Sequence, residues 1–153
     1  MATWADFAAG APRIAAQGER LLHWRGEIQE ALLASVRGDV PPRIHPIYVR
    51  IVDGRLYGFI GRSAKRTDLE RDGRYALHAH QDPAVPDEFE VRGRASTVPP
   101  GAIRDAVAAA WYFPTGDEYE LFEFDIESAV FGERASQDDW PPAYAAWRES
   151  AGA

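Results

Sequence analysis

The stretch Arg43–Ile60, RIHPIYVRIVDGRLYGFI, decides the fold. Ile44, Pro46 and Tyr48 alternate with Arg43, His45, Ile47, Val49 and Ile51, a period of two that belongs to strands. After its first positions the second set is apolar, so it faces a core. Asp53-Gly54 supplies the positive φ that both central positions of a type I′ turn require. Arg55–Ile60 is therefore expected to return antiparallel beside the first strand.

The same alternation continues on either side. Upstream, Ala31–Arg37 reads as a strand, ended by Gly38-Asp39 and Pro41-Pro42. Downstream, Arg74–His80 is a further strand. Glu88–Ala95 sets Phe89, Val91, Gly93 and Ala95 against Glu88, Glu90, Arg92 and Arg94. Tyr119–Phe131 turns Phe122, Phe124 and Ile126 inward and Glu123, Asp125 and Glu127 outward. Together these predict six antiparallel strands in a barrel closed on itself, since closure removes unpaired edges.

Helices flank the strands. Thr3–Gln17 places Trp4, Phe7, Ala8, Ala11, Ile14 and Ala15 at intervals of three and four, behind Thr3 with Asp6 three residues on, and Gly18 is positioned to end it. Gly61–Arg71 reads as a loop entering a short helix. Pro99-Pro100-Gly101 starts another at Ala102–Trp111, with Ile103, Val107 and Ala110 or Trp111 on one face. The expected class is mainly β with flanking helices. One domain over residues 1–153 is expected, with the barrel at 31–131 and an aromatic tail, 132–153, packed on the barrel or on a partner.

Composition narrows the function. Among 153 residues, 17 Lys plus Arg stand against 24 Asp plus Glu, so 17 − 24 = −7, and a pI near 5 repels nucleic-acid backbones. With 46% apolar and 27% charged residues the chain reads as a globular protein. There is no cysteine, which excludes disulfides, thiolate catalysis and Cys-type metal centres. Residues 1–10 lack the charge and apolar run of a signal peptide, and the longest apolar stretch, Ala106–Phe113, is too short to span a bilayer. A cytoplasmic protein without membrane or nucleic-acid partners is expected.

The region Gly61–Arg74 departs from the acidic background. Arg62, Lys65, Arg66, Arg71 and Arg74 face Asp68, Glu70 and Asp72, so 5 − 3 gives a local +2, and Lys65 is the only lysine. A Gly-Arg-Ser-Ala-Lys-Arg turn at a helix N-terminus offers backbone N–H groups, a hydroxyl and two cations to one anion. The same residues can equally form a solvated loop with i,i+4 pairs such as Arg66 with Glu70. His78 and His80 share one strand face at metal-ligand spacing, but only His23 and His45 remain to complete a set, so no metal is expected. Neither a nucleophile elbow nor a P-loop is present, and adjacent Asp138 and Asp139 point apart.

In their order, Ala31–Arg37, Pro42–Ile47, Asp53–Tyr57, Ser63–Leu69 and Asp72–Leu77 resemble the pyridoxamine 5′-phosphate oxidase-like, flavin-binding split-barrel superfamily, over Ala31 to about Ile126. The resemblance implies a six-stranded antiparallel split β-barrel that forms a homodimer and holds FMN, or in some branches the deazaflavin F420. It implies that Lys65 and Arg66 hold the cofactor phosphate with Arg43 and the Ser63 hydroxyl. It places the backbone of Ile60 and Gly61 against the phosphate and ribityl chain, and sets Ile44, His45, Pro46 and Ile47 along the ring. His45 would then be placed to relay a proton, or else is a strand histidine bonded to backbone or solvent. Two departures stand out. The oxidases' C-terminal arginine–histidine segment is replaced by Trp147–Ala153, so vitamin B6 oxidation is not implied, and their Tyr-Thr pair after the third strand is Ile60-Gly61 here. The activity implied is flavin-dependent hydride transfer to or from a small-molecule substrate. The alternative is a module that binds, stores or senses a flavin, F420 or haem without turnover.

Overall fold

A computed structural model describes residues 1–151. Seven strands, β1 (Gln29–Arg37), β2 (Val40–Val52), β3 (Arg55–Ile60), β4 (Arg74–Ala79), β5 (Glu88–Thr97), β6 (Glu120–Glu133) and β7 (Ala143–Arg148), lie in the order β3-β2-β1-β4-β5-β6-β7, all neighbours antiparallel. A further pairing of β3 with β6 closes β1 to β6 into a ring of six. The seventh strand, which sequence left inside the aromatic tail, pairs outside that ring with the second half of β6.

One long strand makes the closure work. Along one border β6 pairs β5; along the other, Glu120–Phe124 pair β3, Ile126 bridges Ala2, and Ser128–Glu133 pair β7. A bulge shifts register between Arg92 and Gly93, leaving Glu127 without a partner on β5. The inward phase therefore changes from Phe122, Phe124 and Ile126 to Ala129 and Phe131, all five buried. Gly93 is required there, because a Cβ would collide with the carbonyl oxygen of Asp125.

The predicted helix over Thr3–Gln17 is two helices. Thr3 and Asp6 form the expected capping box for α1 (Trp4–Gly10), and Pro12 then sits at the first turn of α2 (Pro12–Leu22), where its missing N–H does no harm. Gly18 does not stop the helix. It lies inside α2 because the ring of Phe89 packs where a Cβ would be, so this glycine serves close approach rather than termination. Phe7 stacks on Phe89 at 6.4 Å and meets Trp147 at 5.2 Å, which seals one end of the barrel over a core that includes Leu33, Leu56, Leu77 and Phe124.

The helix α3 (Ala64–Arg71) follows β3, and α4 (Ala102–Ala110) packs on the outside of β3 and β6 through Val107, Trp111, Tyr57, Phe59 and Leu121. Of the face expected to be buried on this helix, Val107 and Trp111 are buried as expected, whereas Ile103 is 59% exposed.

Candidate functional site

The ring is incomplete at one place. Hydrogen bonding between β2 and β3 covers only Arg50–Val52 against Tyr57–Arg55, after which the two strands separate. Pro41, Pro42 and Pro46 lie in the part of β2 that has left β3, where a residue without an N–H is tolerated on a free edge. The gap opens as a cleft of about 430 Å³, within the range of small-molecule sites. Pro46, Ile47 and Tyr48 come from β2, Phe59, Ile60 and Gly61 from the end of β3, Lys65 from α3, and Phe113 and Tyr119 from the segment after α4.

Lys65 stands apart from the other cations nearby. Its Nζ lies 3.5 Å from the carbonyl oxygen of Pro46, and it forms no ion pair among the described residues. Burial lowers its pKa from the ordinary lysine value. A half-buried ammonium without a carboxylate partner is poised for an anion.

Its neighbours are already engaged. Arg66 donates from Nε to Glu70 at 2.9 Å, from Nη1 to the carbonyl of Glu118 at 3.1 Å and from Nη2 to Glu120 at 3.2 Å. Ser63 is the N-cap of α3: its Oγ accepts from the Arg66 N–H at 3.3 Å and donates to the Gly61 carbonyl at 3.1 Å. Arg43 donates from Nε to Asp68 at 2.9 Å, and the Ser35 hydroxyl donates to the same oxygen at 3.0 Å. Burial alone would raise the Asp68 pKa, but hydrogen bonds from Arg43 and Ser35 and the Arg43 charge outweigh it and hold the carboxyl below its usual range. The terminal nitrogens of Arg43 make no hydrogen bond among the described residues.

The structure thus brings Pro46, Ile60, Gly61 and Lys65 together in the cleft, with Arg43, Ser63 and Arg66 forming the polar frame around α3. Ile44 is 67% exposed and His45 points to the barrel side of β2, its Nε2 buried without a partner; neither side chain lines the cleft. Alternation along β2 puts His45 on the face of Ile47 and Val49; Ile44 shares the outer face of Pro46 and Tyr48 but stands beyond the cleft lining.

Sequence reasoning missed the polar side of the same cleft. Arg25, Glu30 and His80 also line it. Arg25 grips Glu30 with two hydrogen bonds, 2.9 Å from Nε and 2.6 Å from Nη2, and these bonds, against burial, lower the Glu30 pKa. The ring of His80 lies 5.1 Å from that of Trp24, tilted by 31°. Behind the cleft, Tyr112 ties the segment after α4 to the barrel: its hydroxyl donates to Val49 O at 2.6 Å and accepts from Gln29 N at 3.0 Å. The aromatic run Trp111-Tyr112-Phe113 was a visible signal for that wall. Nothing in linear order joined Glu30 to His80, which meet only through strand pairing. Among the described residues no group of three His, Asp or Glu could hold a metal ion, and no helix is long and apolar enough to cross a membrane.

No family model and no curated protein matches the sequence. Solved structures do match in shape. A protein from Clostridium acetobutylicum related to general stress protein 26, of the pyridoxinephosphate oxidase family, superposes with a TM-score of 0.64 at 13% identity, over 87% of this chain and 92% of that one. An FAD-binding protein from Mesorhizobium loti gives 0.56 at 21% identity, over 75% and 91%. A heme binding protein from Mycobacterium smegmatis gives 0.54 at 16% identity, over 76% of this chain and 52% of that one. The chain has the split-barrel fold of the pyridoxamine 5′-phosphate oxidase-like proteins.

Proposed function

We propose that this protein binds FMN in the cleft between β2 and β3 and works as a flavin-dependent oxidoreductase on a small molecule. The observation that carries this reading is Lys65, an unpaired, half-buried ammonium at the first turn of α3, beside a cleft walled by Tyr48, Phe59, Phe113 and Tyr119. The residues present fit the group. Lys65, with the free terminal nitrogens of Arg43 and the N-terminal turn of α3, would hold the phosphate. Arg66 and Ser63 would frame that turn and add contacts only by giving up present partners. The unpaired edges of β2 and β3 offer backbone groups to a ribityl chain and ring, and aromatic side chains exclude water around it. When bound, the flavin supplies two-electron hydride chemistry; the protein's share is to grip, orient and shield it.

A second copy of the chain completes the site in this reading. Val40, Ile44 and Tyr48 line the outer face of β2 as exposed apolar side chains beside the cleft, and a homodimer would cover them. Its setting is the cytoplasm, where a cysteine-free chain loses nothing to a reducing medium.

The test is the visible spectrum of the purified protein and a fluorescence titration with FMN. Flavin bands or saturable quenching support the reading. A Soret band favours haem carriage, the F420 chromophore favours the deazaflavin, and a colourless protein that takes up none of the three overturns it. Reduction by a nicotinamide or F420 donor followed by substrate-dependent reoxidation separates an enzyme from a carrier. Light scattering decides the dimer.

A further inference from the structure

Register places a polar row across the outer face of the sheet. Glu30 pairs with Tyr48, and Ala31 pairs with Ala79, so His80, one residue past the end of β4, stands beside Glu30 on the side away from Tyr48. The three share one face, because side chains directly across paired strands point the same way. All three line the cleft that also contains Lys65.

The members of the row are not equally available. Both oxygens of Glu30 are taken by Arg25. The imidazole of His80 makes no hydrogen bond among the described residues, although it is half-buried and one face is covered by Trp24. Its charged and titratable neighbours around the cleft are Arg25, Glu30, Tyr48, Lys65 and Tyr119. His80 thus presents a donor and an acceptor to the cleft two strand spacings, about 10 Å, across from β2. Lys65 lies on the β2 side, against Pro46. A ligand that reaches both must carry an anion at one end and a hydrogen-bonding group at the other, as the heteroatom-edged ring of a flavin phosphate does.

We propose that His80 is the ring-reading residue of this site: its imidazole hydrogen-bonds the polar edge of the planar heterocycle whose phosphate Lys65 holds, with the Trp24 ring packed against the imidazole. This rests on the flavin reading above. It assigns the two ends of the ligand to different residues, so they can be separated. A ring contact is blind to the phosphate; a phosphate contact is blind to the ring.

The experiment compares FMN with riboflavin, which lacks the phosphate, on the wild type and on His80→Ala, His80→Gln and Lys65→Ala, with circular dichroism to check the fold. His80→Ala is expected to lose about tenfold in affinity for both ligands, the scale of one buried hydrogen bond. His80→Gln, which keeps a donor and an acceptor, should recover most of it. Lys65→Ala should weaken FMN and leave riboflavin unchanged. In the wild type, the His80 ring resonances, assigned by their absence in His80→Gln, should move when riboflavin is added. Unchanged riboflavin affinity in His80→Ala, or unmoved His80 resonances in a protein that does bind riboflavin, overturns the assignment while sparing the flavin reading. A wild type that binds neither ligand overturns both.

Discussion

Lys65 and Arg66 are adjacent in sequence and opposite in circumstance: among the described residues the amine of Lys65 finds a hydrogen-bond partner only in the carbonyl of Pro46, at 3.5 Å, while the guanidinium of Arg66 is committed to Glu70, Glu118 and Glu120. Two cations that read as one anion cradle therefore carry different loads. Lys65 is left without an acidic partner among the described residues, and Arg66 ties α3 to the start of β6.

Replacing Lys65 with methionine should separate binding from stability. Loss of a charge-assisted contact costs about 1.5–3 kcal/mol in FMN affinity, roughly 10- to 150-fold. Burial depresses the Lys65 pKa, so the folded state holds its proton less tightly than the unfolded chain. Its charge is then a cost of folding at neutral pH, one relieved as pH rises through the depressed folded value and gone above the ordinary lysine value. Lys65→Met should consequently melt at a slightly higher temperature than the wild type at pH 7. A lower melting temperature with unchanged FMN affinity would contradict both statements.

Arg66→Ala should behave in the reverse manner. Three hydrogen bonds are lost, two of them to carboxylates that water also reaches, so about 1–2 kcal/mol of stability is expected to go. Chemical denaturation at neutral pH measures this, and riboflavin affinity should hardly change.

Acid should destabilise the fold through its paired carboxylates. Glu30 and Asp68 have pKa values lowered in the folded state by Arg25 and by Arg43 with Ser35, and Asp72 is held down at about 2 by Arg74. A depressed carboxyl stabilises above its unfolded value, about 4, and that contribution is lost as pH falls through the folded value. Asp125 acts in the other direction, since burial raises its pKa and protonation relieves it. Asp6 is lowered too, by its hydrogen bonds from Thr3, so with four lowered carboxyls against one raised the melting temperature should decline steadily from about pH 4 down to pH 2. Asp68→Asn should flatten that decline.

Gly93→Ala and Gly18→Ala probe close approach at a backbone and at a side chain. At Gly93 the new methyl meets the carbonyl of Asp125 and the N–H side of Glu127, which cannot rotate away. At Gly18 it meets the ring of Phe89, which is itself packed on Phe7 and Trp4. Overpacking of this kind costs about 1–3 kcal/mol, with Gly93 at the upper end because main chain yields least. Equal melting temperatures for both variants and the wild type would refute the packing described.

Much of the barrel was legible because half-buried strands write their period directly. Ile47, Val49, Phe122, Phe124 and Ile126 all point where alternation says they point. Legibility failed where a residue type had two uses. Gly18 read as a stop and is a contact; Pro12 lies inside the span that read as one helix and begins a second. The bulge at Glu127 interrupts the period, and β7 is a short strand that, among the described residues, pairs only with the far half of β6. At the site, Lys65 was visible as the lone lysine of an arginine-rich chain. His80 was visible only as half of a metal pair, because its partnership with Glu30 and Tyr48 is a product of register, which no local pattern encodes.

The long β6 strand, shared in turn by β3, the N-terminus and β7, also sets the order in which the molecule comes apart. None of its three companions can peel away and take it along, so its central amides should be the last to exchange with heavy water, after those of β7 and of the proline-bearing half of β2. Early exchange is thereby expected in β7 and along the β2–β3 rim, while the strands around β6 hold the shape of the cleft proposed above as a binding site.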